Sequence, residues 1–199
     1  MAGHLDFAIQ PVTVLFMGIE RHKCYLFVTA LFLWPGTPVA AQSTIEEMLN
    51  TLSQAEPAEA LQLTREIERL WTQSGSTTVD MLFRRGREAM EAQDLETAIA
   101  HLTAVTDHAP DFAEGWHARA TAYYMKELYG PALADLQKAL SLNPQNYNAM
   151  YSLGLMFAEF ADYERAEQAF LQVLALHPHH EDATTALGQL SGLGIGREL

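Results

Sequence analysis

The side chains that could bind a metal ion are concentrated in one short stretch. His177, His179 and His180 are followed directly by Glu181 and Asp182. Imidazole and carboxylate groups bind zinc or copper when three or four of them converge on one point. The stretch lies in a predicted loop and helix start, where an ordinary polar turn with exposed histidines has the same composition. We therefore predict no metal site, and we keep a metal-binding envelope protein that uses this loop as an alternative function.

The other residues that could do chemistry are scattered. His101, His108 and His117 have no carboxylate and nucleophile partner nearby in the sequence. No Gly-x-Ser-x-Gly turn, phosphate-binding glycine loop or His-Glu-x-x-His helix occurs. The single cysteine, Cys24, lies in a segment that we expect to be removed, so the mature chain would offer no thiol. The sequence predicts no catalytic residue, no cofactor and no enzymatic activity.

The composition limits the partners of the chain. Of its 199 residues 49% are hydrophobic, which is enough to build a packed core. Twelve lysines and arginines stand against 25 acidic residues, and the formal net charge is −13. Nucleic acids and anionic membranes repel such a chain. We expect one folded unit that binds neither nucleic acid nor lipid.

The first forty residues have the order of a secretory signal peptide. A basic stretch at 21–23 precedes an apolar run at 24–34, and small residues at 39–41 are typical of a cleavage site. The run is about half of the ~20 residues that a membrane-spanning helix needs, so we expect cleavage after Ala41 and no membrane insertion. Met17 as the true start would give a leader of usual length. Residues 1–41 thus predict a periplasmic or secreted protein of bacterial envelope type.

Three prolines divide the remaining chain into equal parts. Pro110, Pro144 and Pro178 are 34 residues apart, and they close units at 79–112, 113–146 and 147–180. Small and large apolar residues recur at fixed offsets within these units: Gly86, Ala98, Trp116, Tyr123, Ala132, Gly154, Ala166 and Phe170. Small residues let two helices approach closely, and the large ones fill the space between units.

This pattern resembles the tetratricopeptide repeat, in which W-x₂-L-G-x₂-Y is followed by A-x₃-F and a closing proline. The resemblance implies an all-α fold, a solenoid of helix-turn-helix units stacked in a right-handed superhelix. Residues 42–78 keep the length without the signature and predict an N-terminal capping helix pair, with a capping box at Ser43 and a second helix from Pro57. Residues 181–199 predict a C-terminal capping helix and a frayed tail from Gly192.

Two arginines occupy positions that usually face the packed interior of the repeat. Arg119 has Asp135 as a natural partner on the second helix of its unit, whereas Arg85 has His101 at that offset. A buried arginine requires a carboxylate, so we predict a structural ion pair between Arg119 and Asp135.

The resemblance further implies a concave groove, lined by the first helix of each repeat, that binds extended peptides or partner helices. Carried onto this chain, the groove positions that we predict to contact a partner are Phe83, Arg84, Arg87, His117, Tyr124, Met125, Tyr151 and Leu155. Equivalent positions are 34 residues apart and would form a continuous strip, with two arginines at one end to fix an acidic group. Tyrosine, arginine and methionine are enriched where proteins bind.

The groove departs from the relatives that grip the acidic tails of heat-shock proteins. Phe83 stands in place of a clamp lysine, Arg87 and Ala118 replace asparagines, and Asn148 and Ser152 replace two basic residues. The sequence therefore predicts a periplasmic adaptor or assembly scaffold, a monomer or weak oligomer, that binds another protein or peptide. A self-oligomerising structural module is the remaining alternative.

Overall fold

A computed structural model describes residues 38–192, with side chains from residue 44 onward, and these residues form nine α-helices and no strand. The helices are α1 (Pro38–Leu52), α2 (Pro57–Trp71), α3 (Thr77–Glu91), α4 (Leu95–His108), α5 (Ala113–Met125), α6 (Tyr129–Leu142), α7 (Tyr147–Glu159), α8 (Tyr163–Leu176) and α9 (Glu181–Gly192). None of these helices is long and apolar enough to cross a membrane. The all-α solenoid is confirmed.

The three predicted units correspond to the antiparallel pairs α3–α4, α5–α6 and α7–α8. In two of the three pairs, the two helices pack so closely that only glycine fits where they cross. A Cβ atom on Gly86 would lie 2.6 Å from Cγ of Leu102, and one on Gly154 would lie 2.5 Å from Cε1 of Phe170. Helix α5 has the buried Ala120 at the equivalent position. The small signature residues thus set how closely the two helices of each unit approach.

The turn between the two helices has the same backbone conformation in all three units. The residue that follows it caps the second helix in only two of them. Gln93, Glu127 and Ala161 each adopt a left-handed conformation, with φ between 57° and 61°. The next residue is Asp94 in the first unit and Asp162 in the third, and each carboxylate accepts a hydrogen bond from the first turn of the following helix. The second unit has Leu128 there, and α6 has no side-chain cap.

The N-terminal helix pair lies in an unexpected place. Helix α2 begins at Pro57 as predicted, but Ile67 and Trp71 are buried in one core with Tyr147 and Phe170 of the third unit. The rings of Trp71 and Tyr147 are 4.9 Å apart. The pair therefore packs against the third unit, with which it shares one hydrophobic core.

The termini depart from the sequence prediction in a second respect. Helix α1 begins at Pro38, so the predicted capping box at Ser43 is wrong, since that residue lies inside the helix. The predicted cleavage point after Ala41 falls within α1. The rest of the predicted leader and the predicted frayed tail from 193 onward lie outside the described residues. Helix α9 begins at Glu181 as predicted, and it buries Ala183 and Leu190 against the third unit.

The predicted ion pair between Arg119 and Asp135 is confirmed. Nε and Nη2 of Arg119 donate to the two carboxylate oxygens of Asp135 at 2.6 and 2.9 Å. Nη1 donates to Thr106 at 2.8 Å, and the guanidinium lies 4.8 Å from the centre of the Trp116 ring. The hydrogen bond to Asp135 raises the pKa of Arg119. The interior position expected for Arg85 is wrong: its side chain is exposed, because no carboxylate faces it and its charge stays in water.

Candidate functional site: the concave groove

The first helices of the three units, α3, α5 and α7, supply all eight predicted groove side chains. Five of the eight line one of two cavities. One set lies against α2, where Phe83, Arg87 and His117 line a cavity of about 270 Å³. The other set is open, where Tyr124 and Leu155 line a cavity of about 340 Å³. We refer to these as the covered part and the open part of the groove.

Helix α2 contributes two side chains to the covered part, Glu68 and Trp71. The carboxylate of Glu68 accepts a hydrogen bond from Nδ2 of Asn148 at 2.9 Å and a longer one from the hydroxyl of Tyr147 at 3.5 Å. Sequence analysis missed both α2 residues as groove residues. The helical spacing of Leu63, Ile67, Leu70 and Trp71 predicts an apolar face on α2, but no local signal indicates which unit that face covers.

A polar cluster lies at the centre of the groove and joins the second and third units. Glu114 accepts a hydrogen bond from Asn146 at 2.5 Å and lies 3.3 Å from Nδ1 of His117. The other ring nitrogen of His117 is 3.2 Å from the hydroxyl of Ser152. Burial raises the pKa of Glu114, but the bonds to His117 and Asn146 and the charge of Arg87 outweigh it and lower the pKa below its ordinary value. The cluster holds an ionised carboxylate in the groove floor.

The two predicted groove arginines do not form an isolated positive end. Arg84 is exposed and lies 3.8 Å from Glu88 on its own helix. Arg87 is exposed and lines the covered part together with Glu68 and Glu114. Phe83 is only 5% exposed and packs edge-to-face on Phe112, so it forms a wall of the cavity instead of projecting from it.

The open part is apolar and has an acidic rim. Tyr124, Leu155 and Ala158 face Leu190 of α9 across the cavity, and Glu159 lies at its edge. Met125 and Leu155 are both exposed. Burial, and then the charge of Glu159, raises the pKa of Tyr124. Tyr151 lies between the two parts, and its ring packs on Phe170 at 5.5 Å and on His180 at 5.2 Å.

Two of the three histidines at 177–180 contact the N-terminal helix pair. Nε2 of His177 is 3.1 Å from the hydroxyl of Thr64, and Nε2 of His179 is 2.9 Å from the carbonyl oxygen of Ala55. His180 accepts a hydrogen bond from the backbone N–H of Ala183. Burial, with the charges of the two neighbouring histidines, lowers the pKa of His177 to about 4. No group of three metal-binding side chains occurs in the part of the chain that the structure describes.

Comparison with known proteins agrees with the geometry of the helix pairs. The tetratricopeptide repeat model matches residues 83–134 and 129–181. A TPR repeat-containing protein of Rhizobium etli is 24% identical over 136 residues, which are 68% of this chain and 67% of that protein. Superkiller complex protein 3 of Mus musculus is 35% identical over 108 residues, which are 53% of this chain and 6% of that protein. The match thus spans only a small piece of the second relative.

Solved structures with the same fold include two domains in complex with peptides. The first TPR domain of Spaghetti (RPAP3), bound to an HSP90 peptide, is 24% identical with a TM-score of 0.56, covering 58% of this chain and 91% of that domain. MamA is 20% identical with a TM-score of 0.55, covering 71% and 86%. The TPR2B domain of yeast Sti1, in complex with an Hsp70 peptide, is 19% identical with a TM-score of 0.55, covering 59% and 99%. Residues 83–181 of this chain are therefore tetratricopeptide repeats.

Proposed function

We propose that this chain is a non-enzymatic periplasmic adaptor or assembly scaffold that binds a segment of another polypeptide in the open part of its groove. The observation that carries the proposal is the open apolar cavity between Tyr124, Leu155 and Leu190. Apolar and aromatic side chains that converge on a concave surface supply most of the binding energy in protein interfaces. The peptide complexes of the RPAP3 and Sti1 domains support a polypeptide as the ligand.

The chemistry of the groove disfavours an acidic chain end as the bound group. At the position of a clamp lysine stands Phe83, and Asn148 already donates to the carboxylate of Glu68. Glu159 borders the open part, and Glu114 is held ionised in the groove floor. A partner segment with apolar side chains and no excess of acidic ones fits this surface better than an acidic tail.

The periplasmic location rests on the order of residues 21–41, which is typical of a signal peptide. Export of the chain should remove this segment and leave Gln42 as the first residue. N-terminal sequencing of the protein recovered from the envelope fraction tests this part of the proposal independently of binding. A recovered chain that retains residues 24–34 would indicate a membrane anchor and overturn cleavage.

Site-specific crosslinking tests the groove. A photoreactive amino acid in place of Leu155 should capture a polypeptide in the cells of origin. The same group in place of Leu171, an exposed residue of α8 outside the groove, should not. A crosslinked dimer of the chain itself would favour the self-oligomerising module. Equal capture at both positions would show that the open part is not the binding surface.

A further inference from the structure

The turns of the second and third units carry apolar side chains where the other units have polar or small ones. Leu128 is equivalent to Asp94 and Asp162, which cap α4 and α8. It is 40% exposed, and α6 begins without a side-chain cap. An apolar residue at a helix-capping position lowers stability. Leu128 therefore carries a cost that the capping aspartates of the two equivalent turns avoid.

A second departure lies next to the first. Phe160 is 54% exposed, and the equivalent residues are Ala92 and Lys126. Its ring is 5.3 Å from that of Tyr129, whose ring is 5.7 Å from that of Tyr124, so three aromatic rings bridge the second and third units. Four of the six large apolar side chains exposed among the described residues lie at this end of the two units: Met125, Leu128, Leu155 and Phe160.

The charges around these rings are negative. The carboxylates of Glu127 and Glu159 both raise the pKa of Tyr129, after burial, which is the larger cause. Neither forms an ion pair within the described residues. The nearby cations are engaged elsewhere, since Lys126 pairs with Glu96 and Arg165 pairs with Asp162. An exposed apolar surface with unpaired carboxylates at its rim is complementary to a basic and apolar ligand.

We infer that the turn edge formed by Leu128, Tyr129 and Phe160 is a second protein-binding surface, which takes a polypeptide segment with an apolar or aromatic side chain flanked by lysine or arginine. The apolar residue packs against Phe160 and Leu128, and the basic residues lie beside Glu127 and Glu159. Leu128, Tyr129 and Phe160 lie outside the predicted groove positions, on the turns and the start of α6, and the turn edge borders the open part of the groove, with which it shares Glu159. Anionic lipid is disfavoured by the same two carboxylates.

Labelled peptides test the turn edge directly. The probe is a fluorescein-labelled Lys-Lys-Leu-Phe-Lys-Lys peptide, measured by fluorescence anisotropy with the exported protein. One comparison peptide carries glutamate in place of every lysine, and another carries serine in place of leucine and phenylalanine. The basic apolar peptide should bind, each comparison peptide should bind about tenfold more weakly, and added salt should weaken binding.

Two variants separate binding from folding. Leu128→Asn restores a capping residue without adding charge, so it should raise the melting temperature while weakening peptide binding about tenfold. Phe160→Ala should weaken binding similarly, whereas Leu171→Asn, at an equally exposed leucine elsewhere, should leave it unchanged.

The result does not depend on the groove proposal, because Leu155→Ala removes a groove contact and leaves the turn edge intact. If the basic apolar peptide fails to bind, or binds Leu128→Asn and Phe160→Ala as tightly as it binds the native chain, the turn edge is not a binding surface. Equal binding of the glutamate peptide would likewise overturn the chemistry assigned to the ligand.

Discussion

The two ends of helix α7 have opposite surroundings although both face the same groove. Tyr147 in its first turn is fully buried beneath Trp71, and Asn148 is hydrogen-bonded to Glu68. Leu155 in its last turns is 36% exposed, and Phe160 just beyond it is more exposed still. The chain thus fills one part of its groove with its own helix and leaves the other open. No residue of α2 lines the open part, which is why the proposed function is placed there.

Replacing Trp71 should have the largest effect on the free energy of unfolding. It would remove the packing that distinguishes the covered part of the groove from the open part. Trp71→Ala deletes a buried ring that packs on Tyr147, and we expect a loss of about 3 kcal/mol in the free energy of unfolding. Urea unfolding measures the change. Leu155→Ala is the matched control in the open part, and it should cost about 0.5 kcal/mol or less. Similar losses for the two variants would show that the covered part is not a packed core.

Acid should weaken the contact between α2 and His177. The pKa of His177 is lowered to about 4 from an ordinary value of 6.5, so the folded state binds fewer protons than the unfolded state between these values. Stability should therefore fall as the pH drops from about 6.5 towards 4, by up to about 3 kcal/mol in total. Thr64, Tyr147, His179 and His180 surround the ring.

His177→Gln isolates this contribution, because the carboxylates of the chain also titrate in the same range. The difference in unfolding free energy between the native chain and the variant should shrink as the pH falls. A difference that stays constant from pH 7 to about 4 would mean that His177 does not titrate with folding.

The hydrogen bond from Asn148 to Glu68 should make a smaller contribution to holding α2. Glu68→Ala removes the acceptor and should lower the free energy of unfolding by about 1 kcal/mol. Glu66 on the same helix pairs with Arg69 in solvent, and Glu66→Ala should have little effect on stability. Equal effects of the two substitutions, measured in urea, would contradict a specific role for Glu68 in the groove.

The smallest effect is expected in the turn beside the open part. Ala161 has φ of 57°, a conformation that glycine adopts without strain. Ala161→Gly should raise the free energy of unfolding by about 0.5 kcal/mol, whereas Ala158→Gly inside α7 should lower it by about 1 kcal/mol. Thermal unfolding of the two variants should shift in opposite directions. A decrease with Ala161→Gly would show that the turn is not strained.

The sequence predicted the repeated helix pairs and the contacts between helices that are neighbours in the chain. The 34-residue period predicted three helix pairs, and the offset between Arg119 and Asp135 predicted an ion pair inside one unit, because both depend on contacts between neighbouring helices. The position of α2 depends on contacts across the whole array. Thr64 and His177 are 113 residues apart in the chain. The apolar spacing on α2 satisfies any complementary surface, so the sequence predicted a terminal helix pair but not the unit that it packs against.

The groove residues were predicted by position and not by environment. Tyr124, Met125 and Leu155 lie where the period predicts them, and all three have accessible surface. Phe83 and Arg84 occupy other groove positions on α3, yet one is buried on Phe112 and the other pairs with Glu88 in solvent. The exposure of a groove side chain depends on which helix covers its unit, and the repeat period does not predict which helix that is. The turn edge was missed because Leu128 and Phe160 lie outside the repeat positions associated with binding.

The packing of α2 on the third unit also changes how the array should fold. In an open solenoid each repeat touches only its neighbours, so unfolding begins at the ends and proceeds by steps. Here the hydrogen bonds between Thr64 and His177 and between His179 and Ala55 join the first helices to the last, and they close a loop of more than a hundred residues. The terminal unit cannot open without releasing α2, which couples the two ends into one cooperative transition. Closure of so long a loop is slow relative to the formation of each helix pair, so the N-terminal pair should dock last during refolding.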